Sequence, residues 1–173
     1  MKIKVNLSDI LKEAARSEWG RRYYNDSGEH NPPDVELQLD KNLPKIYCLG
    51  YTPNLRSGLV NLMENVNFHS ESRKRKIRTA RIDQTQIVEL CWDGESLTPG
   101  QIAEINKMYS DGAIAIEKPE RHGALIAGYL LGKIGGKVRI ENFDGGIYVV
   151  RNVLELPIIA GKRASAETSE VTS

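Results

Sequence analysis

Apolar residues recur at helical spacing early in the chain. "VNLSDILKEAARSEW" places Leu7, Ile10, Leu11 and Ala14 on one side, behind the capping residues Asn6 and Ser8, which predicts an amphipathic first helix. "NDSGEHNPPD" is turn-rich, and "DVELQLD" then alternates Val35, Leu37 and Leu39 as a half-buried strand does. "KIYCLG" predicts a second short strand. From Pro53 the period returns to that of a helix: Leu55, Leu59, Leu62, Met63 and Val66 fall within about 100° of one another. "SRKRK" reads as a charged loop, followed by two strands, "IRTARID" and "QIVELCW", joined by a polar turn around Asp83 to Thr85.

Thr98, Pro99 and Gln101 supply a cap, a first-position proline and a capping-box glutamine. They open a helix lined by Ile102, Ile105 and Met108. "DGAIAIEKPERHG" reads as an irregular connection, and Gly123 to Ile134 as a second apolar helix. "KVRIEN", a "DGG" turn and "IYVVRNVLELPI" close the pattern as a hairpin. The order is helix, two strands, helix, two strands, two helices, hairpin. It predicts a two-layer α/β sandwich, a mixed and mainly antiparallel sheet covered on one face by about three helices. One domain spans 1–160; the polar tail 161–173 has too little apolar content to fold.

Composition narrows the function. At 173 residues and a net charge of +1, the chain has no global attraction for nucleic acid or membrane. Cys48 and Cys91 stand far apart and match no metal-ligand spacing. No apolar run is long enough for a signal peptide or a bilayer span, which predicts a cytoplasmic location. Six basic residues lie between Arg73 and Arg81, but no aromatic residue is interleaved to stack bases, so a solvated loop and strand edge is the preferred reading. Ala124, Gly128 and Gly132 form a strip of small residues on the last long helix. It predicts close packing onto the sheet, with a partner-binding groove as the alternative.

The long helix carries an anomaly. Asn61 and Asn65 point near about 240° and 280° when Leu55 is zero, away from the apolar stripe. Asparagine is a poor interior helix former, so the pair faces either solvent or a site.

"LRSGLVNLMENVNFHS" resembles the N-box helix of histidine-kinase catalytic domains, part of the superfamily shared with gyrase and heat-shock chaperone ATPases. "VNLSDILKEA", "VELQLDKNLPKIYCLGYTPN", "IVELCWDGESLTPGQIAEI" and "HGALIAGYLLGKIGGKVRIEN" follow in that family's order, over residues 3–158. The resemblance implies ATP and Mg2+ as cofactors. It makes Asn65 the metal ligand, since magnesium takes oxygen donors. Asn61 stands where hydrolytic relatives carry a glutamate base. An amide cannot accept a proton from water, which places the chain nearer the kinase branch.

Several positions depart from the family pattern. Phe68 replaces a lysine-like residue. Trp92 falls on the adenine-reading aspartate, with Asp93 and Gly94 one place later and Ser96 at the second glycine. The glycine-rich phosphate loop is reduced to "ERHGAL", leaving Gly123, with Arg121 as a possible phosphate donor or a surface residue. Trp92 and Phe68 would fill the cleft or offer a patch to a protein. None of His30, His69 and His122 has the helical setting of a phosphoacceptor. The resemblance therefore carries two expectations. One is a stand-alone, diverged signalling domain, a pseudokinase binding a response regulator or kinase. The other is a working Mg-ATP domain serving a partner's histidine in trans. Asp93 at the adenine position would favour the second, and Trp92 there the first.

Overall fold

The computed structural model describes residues 2–21, 32–41, 46–49, 52–69 and 73–158. In chain order the elements are β1 (Lys2–Val5), α1 (Leu7–Ala15), a π-helical continuation (Arg16–Arg21), β2 (Asp34–Gln38), β3 (Ile46–Leu49) and α2 (Thr52–His69). They continue with β4 (Lys74–Ile82), β5 (Thr85–Trp92), α3 (Pro99–Ile114), α4 (Gly123–Gly132), β6 (Lys137–Gly145) and β7 (Tyr148–Pro157). The expected tail 161–173 and most of the turn-rich loop after α1 lie outside the described residues.

Five strands form one sheet in the order β2-β4-β5-β7-β6. Only β2 and β4 are parallel, as their long connection through β3 and α2 requires; the other pairs are antiparallel. Alternation decides which face is covered. Ile77, Val88, Leu90, Trp92, Val150, Leu154 and Leu156 point under the helices and are buried with Leu55, Leu59, Leu62, Met63 and Val66 of α2. The two-layer sandwich expected from the pattern is the architecture observed, and the α2 stripe is its core side.

Four details differ from expectation. The chain opens with β1, which pairs antiparallel with β3 in a separate two-stranded sheet. "KIKV" is too short to show a period. The charged run is not a loop: Lys74, Arg75 and Lys76 belong to β4. Their side chains alternate, so Arg75 enters the core, where its guanidinium lies over the Trp19 ring at 5.1 Å and hydrogen-bonds Asn67. Helix α3 runs on through Asp111–Ile114 before the connection begins. Finally, the small-residue strip on α4 packs against α3 rather than the sheet. A side chain at Gly128 would strike the Tyr109 carbonyl, and one at Gly132 would meet Ala113.

The opposite face of the sheet carries an ion ladder. Glu89 accepts from Arg78 at 3.1 Å and from Arg151 at 2.8 Å, Arg151 reaches Glu141 at 2.7 Å, and Arg139 spans Glu141 and Glu155. The ladder takes up Arg78 of the basic run, while Lys76 lies 3.6 Å from Glu36.

Candidate functional site

A cavity of about 310 Å³ lies where α2, α3 and the start of α4 meet one end of the sheet. Helix α2 contributes Asn65 and Val66, β5 contributes Trp92, and β7 contributes Asn152. Helix α3 supplies Gln101, Glu104, Ile105, Met108 and Tyr109, and His122 and Gly123 close the far side.

The segment that carries α3 is tied to the sheet by two asparagines. Asn106 hydrogen-bonds the backbone of Ile140 in both directions, and Asn142 does the same to Leu97. The Thr98 capping box then starts the helix: Thr98 Oγ1 accepts from the Gln101 N–H at 3.2 Å, and Gln101 Oε1 accepts from the Thr98 N–H at 2.9 Å.

Three neutral side chains make the cavity floor. The Tyr109 hydroxyl donates to Asn152 Oδ1 at 2.8 Å. Burial pushes that hydroxyl far above the ordinary tyrosine pKa, and hydrogen bonds with Asn65 and Asn152 oppose the shift in part. Asn65 Oδ1 also sits directly beside Gly123, where any Cβ would strike it.

The residues singled out by sequence separate. Asn65 and Gly123 meet at the cavity. Asn61 does not reach it; its amide donates to the Ser57 carbonyl of its own helix at 2.8 Å. Trp92 is on the cavity wall and 3% exposed. Asp93 instead holds the start of β4, its carboxylate accepting from the Arg73 and Lys74 N–H groups at 3.0 and 2.9 Å. Gly94 is exposed with φ +114°, and Arg121 is exposed and off the cavity wall. The Phe68 side chain lies outside the described residues.

Tyr109 and Asn152 were not among the residues picked out by sequence. Asn152 had a signal: it is a polar residue at an inward position between Val150 and Leu154 on an apolar strand. Tyr109 had none beyond its place on the α3 stripe.

The lining residues fit Mg-ATP poorly. Among the described lining residues none is a lysine or arginine, and the one carboxylate is Glu104, which repels phosphate. For magnesium the cavity offers the Asn65 amide and Glu104, and no cluster of three metal-binding side chains exists among the described residues. No helix among the described residues is long and apolar enough to cross a membrane.

No protein-family model matches the chain, and no curated protein matches it by sequence. Solved structures do match in fold. The ATP-binding domain of PrrB from Mycobacterium tuberculosis superposes with a TM-score of 0.64 at 19% identity, over 92% of this chain and 98% of that one. The catalytic domain of histidine kinase ThkA gives 0.63 at 15% identity, over 91% and 97%. Full-length ShkA in complex with AMPPNP gives 0.63 at 17% identity, over 92% of this chain and 32% of ShkA.

Proposed function

We propose that this chain, which has the fold of histidine-kinase catalytic domains, acts in signal transduction by binding a protein, with nucleotide binding weak or lost. The observation that carries the reading is the charge of the cavity wall: among the described residues that line it there is one carboxylate, Glu104, and no lysine or arginine. Trp92 on that wall supports it, because Asp93, the residue that could read adenine, is committed to the β4 backbone. A response regulator or a kinase is the class of partner proposed. Ile114 and Ile116, 82% and 93% exposed at the end of α3 and just beyond it, are the apolar contacts we assign to that partner.

Thermal melting with and without Mg-ATP tests the nucleotide part. A ligand at a hundredfold over its Kd stabilises a fold by about 2.7 kcal/mol. We expect no shift at millimolar Mg-ATP, and a clear upward shift would overturn the reading. A second reading, a working Mg-ATP domain that serves a partner's histidine in trans, draws on Asn65 facing the cavity. The same melt separates the two.

A further inference from the structure

We propose that the outer edge of β2, with the groove beside it, takes up an extended segment of a partner protein as an added strand. The segment carries apolar side chains flanked by acidic ones. This surface shares no residue with the cavity between the helices, and its use does not depend on nucleotide.

The two edges of the sheet are finished differently. The β6 edge is met by Asn106, which bonds both backbone groups of Ile140. At the other end of the strand order, β2 pairs with β4, and among the described residues no strand lies on its outer side. The register tells which groups are left over. The Asp34 N–H donates to the Arg73 carbonyl at 2.8 Å, and in a parallel ladder alternate residues turn their backbone groups to alternate sides. Asp34, Glu36 and Gln38 therefore bond β4, while Val35 and Leu37 turn their N–H and C=O groups to the outer edge. Among the described residues no hydrogen-bond partner meets them there. Such an edge is a template for another chain, and main-chain bonding of this kind is a common way to capture a peptide.

A groove of about 380 Å³ lies beside that edge and selects what is added, having room for more than one aliphatic side chain. Its apolar wall is Trp19, Pro33, Val35 and Leu37, the last 43% exposed. Lys12 and Arg16 complete it, both exposed. Among the described residues neither of them makes a hydrogen bond or an ion pair, and no carboxylate lines the groove. Side chains of an added strand alternate between the two faces. Those on the groove side meet apolar surface and two unpaired cations, which suits valine- or leucine-like residues with carboxylates beside them. Those on the other side meet the face that carries the exposed Asp34 and Glu36, where like charge disfavours further acid.

The test uses the full chain and three capped heptapeptides. The first has glutamate at both ends, valine and leucine on the same face as the glutamates, and threonine between. The second carries lysine in place of glutamate, and the third is the first with its internal amides N-methylated. Calorimetry follows binding, and NMR follows amide exchange. The Val35 and Leu37 amides should exchange fast in the free chain and slow at least about tenfold with the glutamate peptide, while the Ile140 amide stays unchanged. The glutamate peptide should saturate below about 1 mM, the lysine peptide should bind at least about tenfold more weakly at low salt, and the N-methylated one should not bind. Lys12→Glu with Arg16→Glu, at exposed positions that the fold tolerates, should reverse the preference to the lysine peptide. Slow exchange of Val35 and Leu37 in the free chain would mean that the chain itself closes this edge, and slowing that grows with protein concentration would put a second copy there. Either result overturns the proposal, as does equal binding of the glutamate and lysine peptides or the failure of the glutamate peptide to saturate.

Discussion

Asn106 brackets Ile140: its amide nitrogen donates to the Ile140 carbonyl at 3.0 Å and its Oδ1 accepts from the Ile140 N–H at 2.8 Å. A helix side chain thus stands in for a neighbouring strand on the outer edge of β6. It satisfies an edge that would otherwise be open to pairing, and it fixes the angle at which α3 meets the sheet. The cavity depends on that angle, because Gln101, Glu104, Ile105, Met108 and Tyr109 all come from α3.

Asn106→Ala should therefore loosen α3 against β6. Two hydrogen bonds disappear and the Ile140 N–H and carbonyl lose their partner, so a loss of about 1–3 kcal/mol is expected by urea denaturation. Hydrogen exchange should locate the change. The Ile140 amide should exchange faster in the variant, while amides at the β5–β7 centre stay protected. Uniform acceleration across the sheet would show that Asn106 supports the whole fold rather than the α3 docking.

The α3–α4 contact predicts opposite outcomes for two glycines. A Cβ at Gly128 would run into the backbone carbonyl of Tyr109, which cannot swing aside. Gly128→Ala should cost about 1–3 kcal/mol or more, the range of overpacked cores. Gly100, in the first turn of α3, has only Thr98 Oγ1 near, at 3.9 Å. Gly100→Ala should be neutral or stabilising by up to about 1 kcal/mol, since alanine loses less backbone freedom on folding. Melting curves of the pair decide it, and equal losses would refute the close-approach account.

His122 holds φ at +69° at the start of α4 and makes no side-chain cap there. Such a backbone conformation costs a side-chain-bearing residue on the order of 1–3 kcal/mol. The residue is exposed, so little packing is lost on removing the side chain. His122→Gly should raise stability by about 1 kcal/mol after the extra unfolded-state entropy of glycine is counted, whereas His122→Ala should give no gain. Equal melting temperatures for the two variants would count against strain at this position.

Much of the fold was legible because it rests on periodicity. The amphipathic face of α1, the α2 stripe and the Thr98 cap each place side chains where they are found. Arg75 escaped that logic: a run of like charges reads as solvated surface, and only the coming together of Trp19 and Asn67 from distant segments makes a core position for it. The glycine strip on α4 was visible, but its partner was not, since the complementary Gly112 and Ala113 lay in a stretch read as irregular. The cavity was half legible. Asn65 and Gly123 stood out by type and place, while the exclusion of Asp93 follows from a hydrogen-bond choice between two loop ends that no spacing records.

The ion ladder on the open face of the sheet makes an alkaline prediction. Cys91 lies beneath it, 2% exposed, and burial with the adjacent Glu89 charge pushes its thiol up to about 12, against the opposing pull of Arg151, Lys76 and Arg78. Burial, with the hydrogen bond and charge of Glu36, likewise raises the nearby Tyr148 hydroxyl to about 12. Both groups ionise more readily in the unfolded chain, the thiol from about pH 9. Above that pH the unfolded state binds fewer protons than the native one, so stability falls as pH rises. The urea midpoint should therefore hold to pH 9 and decline steadily between pH 9 and 12, and Cys91→Ala should flatten the lower part of that decline. In a Cys48→Ser background the remaining thiol should resist a disulfide reagent at pH 8 in the native state and react at once in urea. A fast native reaction would mean that the ladder does not seal the thiol, and the alkaline transition would then need another source.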